Sequence, residues 1–160
     1  MGREKSALEY QLIIMKIKNP KEYALYLLKF KDRSERGIEQ KMKQKDFSDQ
    51  EIAETISFLL ERKFVDEKKL AQMIIRDGLE LKLWGRYRIQ KKLIREQIKR
   101  EIVDSSLTQI SYEDELKSAK LAKKKWLKKN RIKNYEDKQK LFGFLGRKGF
   151  GWEIILELDI

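Results

Sequence analysis

An internal repeat of about fifty residues is the feature that most limits the fold of this chain. Three trios of apolar residues have the same internal spacing of four and then five positions. The trios are Ile38, Met42 and Phe47; Ile89, Leu93 and Ile98; and Leu141, Leu145 and Phe150. Their last members are 51 and 52 residues apart. A constant period of this size is typical of proteins built from stacked supersecondary units.

The match continues beyond each trio. Five residues later come Ile52, Val103 and Ile155. An apolar pair at positions i and i+4, then a break and a second apolar run, predicts two helices joined by a tight turn. Nine residues after the trios the pattern gives Ile56 and Leu107, but Asp159 in the last copy.

A further helical segment precedes each predicted pair. Pro20 suits the first turn of a helix, Asp66 is a candidate N-cap, and Ser111 with Asp114 resembles a capping box. We therefore predict three tandem three-helix repeats at residues 20–63, 64–110 and 111–160. Stacked repeats of this kind predict an elongated, curved, all-α protein. Residues 1–19 form an N-terminal extension that the pattern leaves open between helix and strand.

Composition agrees with helices and removes several kinds of chemistry. The chain has one proline and eight glycines, too few turn residues for a long all-β protein. It has neither cysteine nor histidine, which excludes disulfides, thiolate zinc sites and histidine-dependent triads. No Asp/Glu cluster has the spacing of a magnesium-dependent nuclease. We expect no catalytic residue, no metal site and no cofactor, and hence a protein that is not an enzyme.

The net charge points to the kind of partner. Lys and Arg number 38 against 26 Asp and Glu, giving +12. This excess favours a polyanionic partner, or a complex that contains one, over a generic lysine-rich surface. No apolar run approaches the roughly 18–20 residues of a membrane span, and the N-terminus lacks the apolar core of a secretory signal. We expect a cytoplasmic monomer that does not bind membranes.

Two segments concentrate the positive charge. On a helical wheel, Arg88, Lys91, Lys92 and Arg95 occupy one arc, with Glu96 outside it and almost nothing to neutralise them. A strip of lysines follows the first helix of the third repeat; its members are Lys117, Lys120, Lys124 and Lys128. Such runs are also typical of solvated helix faces, but arginine-rich ridges bind phosphate through bidentate contacts.

Aromatic residues interleave with these charges. Trp84, Tyr87, Trp126 and Trp152 have rings on which bases can stack, although packing within or between repeats is the more usual role. The remaining candidates for a surface that binds a polyanion such as nucleic acid are Arg33, Arg86, Arg147 and Lys148. We expect this positive flank to be shared by all three repeats, so that the protein presents three similar weak surfaces along its length.

Several segments resemble the RecX family of regulators of the RecA recombinase. Residues 24–72 are similar to the first unit of that family, including Arg33–Glu35 and Lys63–Glu67. The segment "WGRYRIQKKLIREQI" resembles its Gly-x-x-Arg-Ile-x-x-x-Leu pattern, and "LFGFLGRKGFGWEII" its closing unit. The resemblance covers residues 24–160. One departure concerns the turn glycine: Gly149 fits, whereas Asp46 and Gln97 do not, so we expect a slightly different turn in the second repeat.

The resemblance implies a non-enzymatic regulator of DNA repair, recombination and the SOS response. Such proteins bind along the RecA–DNA filament and inhibit ATP hydrolysis, strand exchange and co-protease activity. The implied partners are the RecA filament and, weakly and without sequence preference, single- or double-stranded DNA. The residues alone also allow a stand-alone nucleic-acid-binding protein, either a helix-turn-helix regulator or an RNA binder.

Overall fold

The computed structural model describes residues 6–160, and every regular element in that range is helical. A π-helical turn, Gly78–Lys82, follows the fifth α-helix. The α-helices are α1 Ala7–Lys16, α2 Pro20–Phe30, α3 Glu35–Gln44, α4 Asp49–Glu61, α5 Glu67–Asp77, α6 Arg86–Arg95, α7 Arg100–Leu107, α8 Tyr112–Leu127, α9 Tyr135–Arg147 and α10 Trp152–Leu156. Within the described range, no helix is long and apolar enough to cross a membrane.

The nine helices from α2 to α10 form three successive triplets, as the repeat pattern predicts. Each triplet encloses its own apolar core. Of the nine trio residues, eight are buried and Phe47 is partly buried against the first core. The equivalent residues Ile52, Val103 and Ile155 are buried too. The repeated spacing of apolar residues therefore identified positions that lie in the core of each triplet.

The chain divides into two compact units, Met1–Glu67 and Lys68–Ile160. In the described part of the first unit, α2, α3 and α4 pack against one another. In the second unit, α6 packs on α7, and α8 packs on α9 and α10. The limits of the three repeats at residues 63 and 110 stay a prediction.

The N-terminal extension contains a helix rather than a strand. Ser6 caps α1 through a capping box with Glu9. Ile13 and Ile14 pack against the core of the first triplet, and Ile17 is buried in it. The part of the extension before Ser6 lies outside the described residues.

Serine and asparagine side chains cap the N-termini of several of the helices. Asn19 caps α2, with Pro20 as its first residue, in agreement with the sequence pattern. Ser111 accepts a hydrogen bond from the Asp114 N–H at 3.0 Å. The reciprocal bond differs from the predicted capping box, because the Ser111 hydroxyl donates to the Asp114 carboxylate at 2.8 Å. This pairing leaves Asp114 bonded to the cap hydroxyl rather than to the cap backbone.

The expectation that the second repeat has a different turn between its last two helices is wrong. Asp46, Gln97 and Gly149 all adopt the left-handed conformation, with φ of 63°, 59° and 89°. In each turn the next residue donates its N–H to the carbonyl five positions back, as in Phe47 to Met42 and Ile98 to Leu93. This is the Schellman arrangement, which satisfies carbonyl groups at a helix C-terminus. Gln97 therefore adopts a backbone conformation that glycine adopts at lower cost.

Buried glutamates complete the N-termini of two helices. Glu67, the first residue of α5, accepts a hydrogen bond from the Glu35 N–H of α3 at 2.9 Å. Glu115 of α8 accepts one from the Arg86 N–H of α6 at 2.8 Å. A carboxylate at this end of a helix satisfies an N–H that has no intrahelical partner and interacts favourably with the helix dipole. In both cases the carboxylate comes from the first helix of the next triplet.

Candidate functional site

Five predicted cationic residues meet in one cleft of the second unit. The cleft has a volume of about 830 Å³ and lies between α6 and the end of α9. Among the described residues that line it, none is acidic. The cationic lining residues are Arg88, Lys91, Lys92, Arg95 and Arg147. A concave surface with a single sign of charge concentrates its field and attracts anions.

Arg88 is held in place from two directions. Its Nη1 donates a hydrogen bond to the carbonyl oxygen of Arg147 at 2.9 Å. Its guanidinium carbon lies 4.9 Å from the centroid of the Trp84 ring, in a cation–π contact. Because the Arg88 side chain is already ordered, binding an anion would cost less side-chain conformational entropy.

The N-terminus of α6 is not available to a ligand. The Gly85 N–H donates to the carbonyl of Lys148 at 2.9 Å, and the Tyr87 N–H donates to that of Gly149 at 3.1 Å. The Arg86 N–H is bonded to Glu115. Helix N-termini often bind anions through free N–H groups, but these groups already have partners. Any anion in the cleft must therefore be bound by side chains.

The pKa of Lys148, beside the cleft, is lowered first by burial and then by neighbouring positive charge. Burial lowers the pKa of its ammonium group, and nearby Arg88, Lys125 and Lys82 lower that pKa further. Its Nζ donates to the carbonyl oxygen of Lys82 at 2.8 Å. A depressed lysine pKa means that the surroundings disfavour another positive charge. A bound anion would relieve that repulsion.

One expectation about α6 is wrong. Lys92 forms an ion pair with Glu96 one turn later, so the ridge contains a neutralised member. The wheel placed Glu96 off the arc, but the long lysine side chain reaches it at the i, i+4 spacing. Arg88, Lys91 and Arg95 are the exposed cations that remain on this helix.

Arg86 belongs to the internal framework rather than to the cleft. Its Nε lies 3.4 Å from the buried Glu115 carboxylate, and its Nη2 donates to the carbonyl of Ile110 at 2.9 Å. Arg33 belongs to the first unit, where it is half-buried, and its Nε has no hydrogen-bond partner among the described residues. Neither arginine joins the cations that line the cleft.

The predicted lysine strip of α8 does not form one surface. Lys120 and Lys124 line a groove with Glu157 and Asp159. Lys117 lines a different groove that also contains acidic side chains. Lys128 follows α8 as its exposed C-cap residue. These lysines have acidic neighbours or lie apart, so the strip lacks the unbalanced charge of the cleft.

The basic ridge is complete in the second repeat, absent at the equivalent positions of the first and present at two of the three in the third. The residues equivalent to Arg88, Lys91 and Arg95 are Gly37, Gln40 and Gln44 in the first repeat and Lys140, Gly143 and Arg147 in the third. The expectation of a positive flank shared by all three repeats is therefore wrong. Gly143 and Arg147 instead belong to the opposite wall of the same cleft.

The four aromatic candidates differ in their surroundings. Trp84 packs against the second core, and Trp126 packs against the third. Trp152 is exposed but packs edge-on against Phe142, and it does not line the cleft. Tyr87 is 56% exposed and does line it. Within residues 6–160, no group of three or more acidic side chains is placed to hold a metal ion.

Comparison with known sequences points to one family. A family model described as "RecX, first three-helix domain" matches residues 21–59, and one described as "RecX, third three-helix domain" matches residues 117–158. A regulatory protein RecX of Clostridium perfringens is 36% identical over 124 residues, which are 76% of this chain and 58% of the relative. A Thermotoga maritima protein of the same description is 29% identical over 148 residues, covering 90% and 84%.

Solved structures give the same fold. The crystal structure of RecX from Lactobacillus salivarius matches with a TM-score of 0.78 and 20% identity, covering 92% of this chain and 95% of that one. A second structure, a regulatory protein RecX, matches with a TM-score of 0.73 and 22% identity, covering 96% and 77%. The chain spans 58% of the length of the Clostridium perfringens relative.

Proposed function

The chain belongs to the RecX family of regulatory proteins, and we propose that it binds the RecA–DNA filament and inhibits the activities of RecA, namely ATP hydrolysis, strand exchange and co-protease function. In this proposal the chain carries out no reaction of its own. It acts by occupying a surface of the filament in the cytoplasm.

The observation that supports this proposal best is the basic cleft between α6 and α9. Its lining holds five cations and no acid among the described residues, and Lys92 is the one of the five that pairs with Glu96. The RecA filament contains DNA, and each phosphate that a lysine or arginine neutralises releases condensed counterions. The cleft therefore suits an anionic component of the filament, and binding should weaken as salt concentration rises.

The direct test is the ATPase activity of RecA on single-stranded DNA with added protein at low salt. We expect inhibition by the wild-type chain at substoichiometric ratios. The double variant Lys91→Glu, Arg95→Glu should inhibit poorly. Loss of two phosphate contacts should reduce the slope of log affinity against log salt by about 2. Absence of inhibition by the wild type at every ratio would overturn the proposal.

A matched control separates the cleft from net charge. The double variant Lys129→Glu, Arg131→Glu makes the same charge change at two exposed residues that do not line the cleft. It should retain most of the inhibition. Equal loss in both double variants would show that overall charge, and not the cleft, governs the effect.

The alternative of a stand-alone helix-turn-helix regulator is less well supported by the geometry. Recognition helices of that class contact base edges with their N-terminal residues. In α6 the Gly85 and Tyr87 N–H groups bind the turn after α9, so that turn packs against the end of the helix that would have to enter a groove of the duplex. A footprint on a defined duplex, with a large specificity ratio and without RecA, would favour the alternative.

A further inference from the structure

We infer that the cleft takes a single strand of nucleic acid, with phosphates on Arg88, Lys91 and Arg95 and one base stacked on Tyr87. This inference rests on the proposed function, because it names the component of the filament that the cleft contacts. It goes beyond attraction between opposite charges, since it assigns the choice of ligand to an aromatic ring.

The first step of the argument concerns the opposite wall. Three glycines of α9 and its following turn, Gly143, Gly146 and Gly149, line the cleft. A Cβ placed on Gly146 would have no heavy atom within 4 Å, so that part of the wall is backbone facing open space. Arg147 is the side chain on this wall, and the glycines beside it allow a sugar–phosphate backbone to approach closely, within reach of the cations on α6.

The second step concerns the ring. Tyr87 is fixed at its backbone by the bond from its N–H to Gly149. Its ring lies against Gly151, where a Cβ would be 3.3 Å from the tyrosine Cε2. The rest of the ring is exposed beside the cations. Because the Tyr87 ring is already held from one side, stacking a base on it would immobilise few additional side-chain groups and so cost little entropy.

The neighbouring aromatic does not offer the same surface. Trp84 also lines the cleft, but the guanidinium group of Arg88 already lies over its ring. Trp84 is half-buried and packs against the second core. Tyr87 is therefore the ring that a base can reach, while Trp84 orients the arginine that binds the adjacent phosphate.

Stacking distinguishes the possible anions. A single strand presents free base faces, and stacking on aromatic side chains is a general mode of binding it. In a duplex those faces are covered by neighbouring bases. An acidic protein surface supplies carboxylates but no base. Charge alone would attract all three, whereas Tyr87 adds affinity only for the unpaired strand.

The test measures fluorescence anisotropy of a labelled oligothymidylate of about eight nucleotides, a typical site size for single-strand binding. The competing probes are an abasic strand of equal length and charge, a duplex of the same length, and polyglutamate. We expect the oligothymidylate to bind about tenfold more tightly than the abasic strand, equivalent to about 1.4 kcal/mol. Tyr87→Leu should abolish that ratio, and Tyr87→Phe should keep it.

Trp152→Leu is the matched control, because Trp152 is an equally exposed aromatic outside the cleft. It should leave the ratio unchanged. Equal affinity for the abasic and base-bearing strands, an unaltered ratio in Tyr87→Leu, or tighter binding of polyglutamate would overturn the inference. Urea denaturation of each variant confirms that the fold is intact.

The two proposals fail in different ways. If the wild type binds oligothymidylate in a Tyr87-dependent manner but does not inhibit RecA, the proposed function fails and the strand site stands. If it inhibits RecA through Lys91 and Arg95 while Tyr87→Leu changes neither oligonucleotide affinity nor inhibition, the strand site fails and the proposed function stands.

Discussion

The carbonyl oxygen of Gly149 accepts a hydrogen bond from the Tyr87 N–H at 3.1 Å. The turn after α9 therefore packs against the backbone of the first turn of α6 and fixes the two walls of the cleft against each other. The approach is so close that a Cβ on Gly149 would lie 2.4 Å from the backbone nitrogen of Arg88.

This contact predicts a large effect of Gly149→Ala. The added methyl group would overlap Arg88, and the φ of 89° disfavours any residue with a Cβ. We expect the free energy of unfolding to fall by about 2–4 kcal/mol, measured by urea denaturation. Gly146→Ala is the control: it lies in α9 with open space around it, so alanine should stabilise the helix by about 0.5–1 kcal/mol. A smaller loss than 1 kcal/mol in Gly149→Ala would contradict the tight contact.

The left-handed Gln97 predicts a stabilising substitution. Its φ of 59° has a steric cost that glycine lacks. Gln97→Gly should raise the free energy of unfolding by about 0.5–1 kcal/mol, as measured in urea. Gln90→Gly, in the middle of α6, should lower it by a similar amount because glycine is a poor helix former. A loss of stability in Gln97→Gly would show that the glutamine side chain contributes more than its backbone conformation costs.

The buried Glu115 predicts strong coupling to Arg86. Glu115→Ala removes the acceptor for the Arg86 N–H and the partner of its guanidinium group. We expect a loss of about 2–3 kcal/mol in the free energy of unfolding, since both bonds are charge-assisted. A double-mutant cycle with Arg86→Met should give a coupling energy above about 0.5 kcal/mol.

The exposed pair of Glu39 and Lys43 provides the comparison for that cycle. Glu39→Ala should change stability by no more than about 0.5 kcal/mol, because solvent screens exposed ion pairs. Glu115→Gln should fall between wild type and Glu115→Ala, since the amide oxygen still accepts the backbone bond. Similar effects of Glu115→Ala and Glu39→Ala would refute the structural role of the buried carboxylate.

Lys148 predicts a titration that depends on Arg88. Burial and then the Arg88 charge lower the pKa of Lys148, so Arg88→Gln should raise that pKa, as followed by NMR of the lysine side chain. Arg100→Gln is the control, because Arg100 pairs with Asp104 and is not among the groups that affect Lys148. Added oligonucleotide should also raise the pKa of Lys148. No response to either change would contradict the placement of Lys148 beside the cleft.

The sign of the stability effect follows from the same direction. The pKa of Lys148 is lower in the folded chain than in the unfolded chain. Between those two pKa values the unfolded chain binds more protons, so the contribution of Lys148 to stability increases as pH rises through that window. It is lost as pH falls through the folded pKa. Lys148→Met should remove this part of the pH dependence.

Much of the fold could be predicted because apolar spacing reports directly on burial. Ile38, Ile89 and Leu141 were identified by period alone, and each is fully buried. The left-handed turn of Gln97 was not anticipated, since the surrounding helix pair, rather than the residue type, determines its backbone. The π-helical turn before the left-handed Leu83 also left no periodic signal.

The candidate site was only partly predictable. The basic arc of α6 was visible on a wheel, but a wheel contains one helix and no partners. It could not show that Glu115 engages Arg86 or that the strip on α8 faces acidic side chains. The pair of Lys92 and Glu96, in contrast, has the i, i+4 spacing and could have been read from the sequence. The role of Tyr87 depends on Gly149 and Gly151, which are more than sixty residues away in sequence.

Glu67 and Glu115 bind the first N–H groups of α3 and α6, and this has a consequence for how repeats can be gained or lost in such a gene. Each carboxylate is encoded in one repeat and completes a helix in the preceding one. A deletion that removed α8 would therefore strip the neighbouring module of the Glu115 contact as well as its own helices. Duplications and losses whose breakpoints keep each glutamate with the helix it serves should be the ones that natural selection tolerates.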